Sequence, residues 1–270
     1  MNLFKNLING LVFYAVLSFS AFAQNGTTLP YFNKIVASGN VNIYIDQQNN
    51  QSVNIATDEN KDKVLIYVRD SFLYVISKIY RPTDIYVNFN TLVYLEAKQN
   101  ANIESVKNAN IKNLIVKSDY SSKINLYVTS EAMSLVAIGS GIVNISGDIH
   151  YFKLQAKNAT QINANLYSFV IDASLLNFAD IEMKGKTDEL NIQLSDESFL
   201  KATGLRSRIC KVEGNDFSEA NVYVTESLKF VGKKSASLFF TGEPQNLDKT
   251  ISKRADIYTT PKNNSKYALK

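Results

Sequence analysis

Residues 133–143 read MSLVAIGSGIV, and the spacing within them decides the fold. Met133, Leu135 and Ala137 stand two apart, the alternation of a half-buried strand. Gly139-Ser140-Gly141 interrupts it, and Val143 starts it again: strand, tight turn, strand. The phrase recurs on both sides. Its first apolar position is held by Val93, Leu114, Met133, Phe152, Phe169, Leu190, Cys210 and Leu228, at steps of 21, 19, 19, 17, 21, 20 and 18 residues. Two residues on come Leu95, Val116, Leu135, Leu154, Ile171, Ile192, Val212 and Phe230. Small residues then mark the turn, among them Ala97, Ser118, Ala137, Ala156, Gly214 and Gly232. The second strand opens with Ile103, Ile124, Val143, Ile162, Leu200, Ala220 or Leu238, except that Ile181 arrives two residues late in the Phe169 repeat.

A period near 19 residues with no helical face is the signature of a solenoid. It fits one coil of a parallel β-helix, in which apolar side chains stack as ladders and small residues sit where neighbouring backbones approach. The Leu-x-x-Leu-x-Leu-x-x-Asn pattern of a leucine-rich repeat is missing. A β-sandwich of many short strands is the alternative, and the period favours the solenoid. The expected architecture is all-β, with about eight coils of 17–21 residues between 92 and 242.

Outside the repeats the chain changes character. Residues 1–23 carry one charge, Lys5, then the apolar run Leu11–Leu17 and Ala21-Phe22-Ala23 before Gln24, which reads as a secretory signal peptide. No cysteine lies near that cleavage point, so a lipid anchor is not expected. Residues 24–30 form a short leader. Residues 31–91 alternate like strands without the 19-residue register, and are expected to form an N-terminal β cap over one end of the solenoid. Residues 243–270 are expected to be a polar C-terminal tail. Removing 23 of 270 residues leaves 247, enough for one domain with a core, and lowers the formal charge from +4 to +3. So small a charge, with no basic stripe, argues against nucleic acid. No membrane span is expected after the signal is removed.

Few residues carry chemistry. Cys210 is the only cysteine, so no internal disulfide can form, and its place in a ladder marks it as a buried apolar side chain. His150 is the only histidine; it is expected in a turn between coils, without the partners a metal would need. Asp172 and Glu213, two coils apart at about 10 Å, stand far apart for a shared site. Asp196-Glu197 reads as a solvated turn. No catalytic, cofactor or metal residue is expected. Tyr86, Tyr94, Tyr127 and Tyr223, several of them alternating with Asn, are the candidate glycan contacts. Arg206 and Arg208 are the candidate anion contacts. A polysaccharide lyase or hydrolase would need a carboxylate cluster that these positions lack.

The opening Phe32-x-x-Ile35-Val36-Ala37-Ser38-Gly39-x-Val41-x-Ile43 resembles the start of the secreted auto-transporter adhesin head (GIN) domain family, a domain of unknown function common in Bacteroidetes. Ala56–Asn60, Leu73-Tyr74-Val75 and the turn Ala137–Gly141 extend the likeness; the sister turns at Ala97, Ser118 and Ala156 depart from it. The resemblance implies a right-handed single-stranded parallel β-helix without established activity. It suggests an exported envelope or surface protein whose partner is a surface glycan or another envelope protein. The mature chain is expected to give all-β circular dichroism and an elongated scattering profile, eight coils at about 4.8 Å spanning roughly 40 Å. Helix content above about a third would overturn the reading.

Overall fold

The computed structural model describes residues 29–56, 63–252 and 254–259. The segment expected to be a signal peptide, most of the expected leader, part of the charged stretch after Ala56 and the last eleven residues lie outside the described residues. The strands are β1 (Lys34–Ser38), β2 (Val41–Gln47), β3 (Ser52–Ile55), β4 (Val64–Arg69), β5 (Phe72–Ser77), β6 (Thr83–Phe89), β7 (Tyr94–Lys98), β8 (Asn102–Ser105) and β9 (Ala109–Tyr120). They continue as β10 (Lys123–Gly139), β11 (Ile142–Lys157), β12 (Gln161–Leu176), β13 (Asp180–Leu194), β14 (Phe199–Gly214), β15 (Glu219–Gly232), β16 (Ser237–Thr241), β17 (Asn246–Ile251) and β18 (Asp256–Thr259). All join one sheet that winds into a parallel β-solenoid of about nine turns.

Each long strand from β10 to β15 bends around the solenoid. In β10, Lys123–Asn125 pair with β8, and the segments from Val128 and from Ala132 pair with β9. A coil therefore has a first wall, a tight corner, a second wall and a short third wall. The interior is filled by ladders. On the first wall Leu73, Ile35, Leu95, Val116, Leu135, Leu154, Ala173, Ile192, Val212 and Phe230 stack in that order. On the second wall Ile85, Ile43, Ile103, Ile124, Val143, Ile162, Ile181, Leu200, Ala220 and Leu238 do the same. All are buried, and their stacking removes apolar surface from water at about 25 cal/mol per Å².

The pairing corrects two expected repeat starts, and both ends take a larger part in the solenoid than the sequence suggests. The fifth repeat begins at Ile171, not Phe169: Ile171 pairs with Phe152 and Leu190, while Phe169 is half exposed. The steps from Leu114 through Met133, Phe152, Ile171 and Leu190 then become an even 19 residues. Val93 likewise faces outward, and its neighbour Leu92 is buried instead. Residues 31–91 do more than cover an end. β1 pairs in parallel with both β5 and β7, and β2 with both β6 and β8, so the first strand pair lies between coils that follow it in sequence. Only β3 and β4 act as a lid, antiparallel to β6 and β5. At the other end, part of the polar tail continues the solenoid, β17 pairing with β15 and β18 with β16.

The corner between first and second walls explains the small residues. Ala101, Ser122, Gly141, Thr160, Ala179, Ser198, Ser218 and Ala236 are buried there, each carbonyl accepting from the next coil. The hydroxyls are satisfied locally: Ser198 Oγ donates to the Ser195 carbonyl at 2.8 Å and Thr160 Oγ1 to that of Lys157 at 2.7 Å.

The bend into the third wall is tighter. Gly147 and Gly185 have φ of 135° and 110°, and a Cβ on either would lie 1.9 Å from the Val128 carbonyl oxygen or 2.0 Å from that of Leu166. On the coil between them the equivalent Leu166 fills the interior. Gly147→Ala and Gly185→Ala are each expected to destabilise by about 2–4 kcal/mol in denaturant titration. Gly204→Ala would meet only the flexible Lys184 Cγ at 3.0 Å and should be close to neutral.

Candidate functional site

The second wall carries the most ordered polar feature on the surface. Inward-facing residues alternate there with an outward row of Glu104, Asn125, Asn144, Asn163 and Glu182, one per coil. The amides join into a ladder: Asn163 Nδ2 donates to Asn144 Oδ1 at 2.9 Å, and Asn144 Nδ2 to Asn125 Oδ1 at 2.6 Å. A second row two residues on, Tyr127, Ser146, Asn165 and Lys184, stands at the edge of the glycine bend. Together the rows line an open groove of about 460 Å³.

The groove ends differ electrostatically. Glu182 is held by Lys184 at 3.1 Å and Lys201 at 3.2 Å, whose hydrogen bonds keep its carboxyl below the usual range. Glu104 has no ion pair among the described residues. Two other concavities lie elsewhere on the coils. One, beside Ile115, Met133 and Tyr151, is apolar and smaller, about 260 Å³. The other lies over Asp172, Asn191 and Lys211, where Asn191 donates to Asp172 and Lys211 pairs with Glu189.

The four tyrosines do not form one strip. Tyr94 is on the first wall, under the Lys117 ammonium at 5.5 Å, with burial and the Glu96 charge raising its phenol. Tyr86 stacks on Tyr44 near the N-terminal end, their centroids 5.1 Å apart. Tyr127 and Tyr223 hold equivalent places on the second wall, but a register shift in β14 sets Tyr223 beside Arg206, whose guanidinium lies 6.0 Å from its ring. Only Tyr127, 51% exposed, lines the groove.

Arg206 and Arg208 belong to strand β14 rather than to a turn. Arg208 lies between Glu226 at 2.8 Å and Asp188 at 3.8 Å, so its charge is already engaged. His150 is within β11, its ring 4.8 Å from that of Phe169. Asp172 falls in the row of Lys153 and Asn191, not in that of Glu213, although both carboxylates line the concavity over Asn191 and Lys211. Asp196 and Glu197 occupy a left-handed turn with φ of 57° each. Among the described residues no group of three or more His, Cys, Asp or Glu could hold a metal ion, and there is no helix long and apolar enough to cross a membrane.

A parallel β-solenoid with a packed interior and an open polar groove is the class that this geometry defines. The chain belongs to the family described as "Putative auto-transporter adhesin, head GIN domain", whose model matches residues 31–169 and 150–244. Solved structures share the fold. A "putative adhesin" from Parabacteroides merdae is 17% identical, with 87% of this chain and 94% of that one covered and a TM-score of 0.62. A "putative adhesin" from Parabacteroides distasonis is 21% identical over 87% and 94%, with a TM-score of 0.61. A "putative lipid binding protein" from the same species is 17% identical over 87% and 95%, also at 0.61. No curated protein matches the sequence.

Cys210 illustrates how fully the interior is committed to packing. It stacks between Leu190 and Leu228 with none of its surface exposed, and burial pushes its thiol well above the ordinary value. The native protein is expected to resist thiol reagents until it unfolds. Cys210→Ser should destabilise by about 1–3 kcal/mol, because a hydroxyl replaces a buried apolar group.

Proposed function

We propose that the chain is a noncatalytic, exported, adhesin-like module that engages an extended partner, a surface glycan or another envelope protein, along its second wall. The observation that carries this reading is the groove: it crosses successive coils, is open to solvent, and is lined by hydrogen-bonding side chains rather than by an acid–base pair. Glu104 and Glu182, the carboxylates in its row, are four coil steps apart, about 19 Å, whereas glycoside hydrolysis places two carboxyls about 5–10 Å apart. The adhesin names of the structural relatives agree with an envelope role. A lipid, as one relative's name suggests for that protein, would need an enclosed apolar space, and here the ladders fill the interior.

The test uses residues 24–270 and bacterial surface preparations. Asn144→Arg, which fills the groove, is expected to weaken binding by about tenfold or more. Gln155→Arg, exposed on the first wall, should leave it unchanged. Circular dichroism and thermal melting confirm that both variants fold. Turnover of a polysaccharide that is lost in Glu104→Gln or Glu182→Gln would overturn the proposal, as would binding indifferent to Asn144→Arg.

A further inference from the structure

We infer that the groove takes a neutral, extended glycan laid along the solenoid axis, with successive sugars on Asn125, Asn144 and Asn163 and one sugar face on Tyr127. The inference rests on the reading of the second wall as the recognition face.

The hydrogen-bond inventory of the ladder points to hydroxyls. A side-chain amide offers two N–H donors and an oxygen with two lone pairs. The ladder uses one N–H each of Asn144 and Asn163 and one lone pair each of Asn125 and Asn144. Each of the three asparagines is left with both a donor and an acceptor that the ladder does not use. A sugar hydroxyl both gives and accepts and can use the two together; a phosphate or carboxylate accepts only. Charge selects in the same direction. At the Glu104 end no ion pair among the described residues offsets the carboxylate, which disfavours an anionic chain there; at the other end Lys184 and Lys201 offset Glu182.

The backbone excludes a peptide strand as the occupant. The second-wall main chains are paired to the coils on either side, leaving no edge for strand addition at the groove. What remains is a row of side chains repeating at about 4.8 Å. That step is comparable to the length of one pyranose in an extended chain, so equivalent hydroxyls can meet equivalent amides. Ser146, the neighbour of Tyr127 on the next coil, is short, and the phenol ring is half exposed, which leaves it free to meet the apolar C–H face of a sugar.

Calorimetric titration of residues 24–270 with soluble neutral β-linked glucan, xylan and mannan oligosaccharides of increasing length tests the inference. Uronic-acid and sulfated chains serve as anionic comparisons. Affinity for at least one neutral series should rise with length and level off at about four units, the span of the row. Tyr127→Ala and Asn144→Ala should each weaken it about tenfold or more while circular dichroism and melting stay native-like. Anionic chains should bind more weakly, and Glu104→Gln should narrow that difference. Three results would overturn the inference: stronger binding of the anionic chains, binding that survives both groove variants, or no binding of any neutral chain. If no neutral chain binds while surface preparations still lose binding with Asn144→Arg, the glycan assignment fails and the groove's role as a recognition face stands. Loss of neither would remove both.

Discussion

The structure depends on the stacking of identical walls at one spacing. A single coil has too little interior to bury its own apolar side chains, and its backbone groups find partners only on the coils beside it. Parallel pairing at about 4.8 Å meets both needs, but only while each coil places its inward residues over those of the last. The even step from Leu114 to Leu190 is the outcome of that constraint. Small residues at one corner and Gly147 and Gly185 at the next bend follow from it, since a coil of fixed length must turn without pushing its neighbour away.

A core built this way leaves no space inside for chemistry. Ladders occupy the axis, Cys210 among them, and the corner hydroxyls are spent on nearby carbonyls. Recognition is left to the outward rows, which the core spaces as regularly as it spaces itself. Most charges out there are consumed locally, as at Arg208 between Glu226 and Asp188. The amide row is different because its members bond to one another and still keep groups to offer.

The period was readable in the sequence because leucine, isoleucine and valine recur at the stacking distance. The placement of one repeat was not. Phe169 and Ile171 are both apolar and two apart, and a shift by two leaves the in–out alternation unchanged; only pairing to Phe152 and Leu190 separates them. The same shift of two residues sets Asp172 in the row next to that of Glu213. The N-terminal order was hidden for another reason: that β1 meets both β5 and β7 is a long-range fact with no local pattern. β17 and β18 look like tail because an end coil covers little, and Leu247 and Ile251 stay exposed. At the site, the tyrosines are scattered, only Tyr127 and Tyr223 holding equivalent places, whereas Asn125, Asn144 and Asn163 recur at the same 19-residue step as the core.

The interleaved N-terminus bears on how the protein is made. β1 and β2 leave the ribosome before any strand that will flank them, and their neighbours come from both 72–89 and 94–105. An emerging chain cut short before Phe72 has nothing to pair them with in the finished order. The first stable piece must therefore gather residues 32–105 at once, paying the closure entropy of those loops together. Past that point every new coil needs only to lie down on the one before it. The molecule is thus slow to begin and easy to extend, a polymer with its initiation complex written into its first hundred residues.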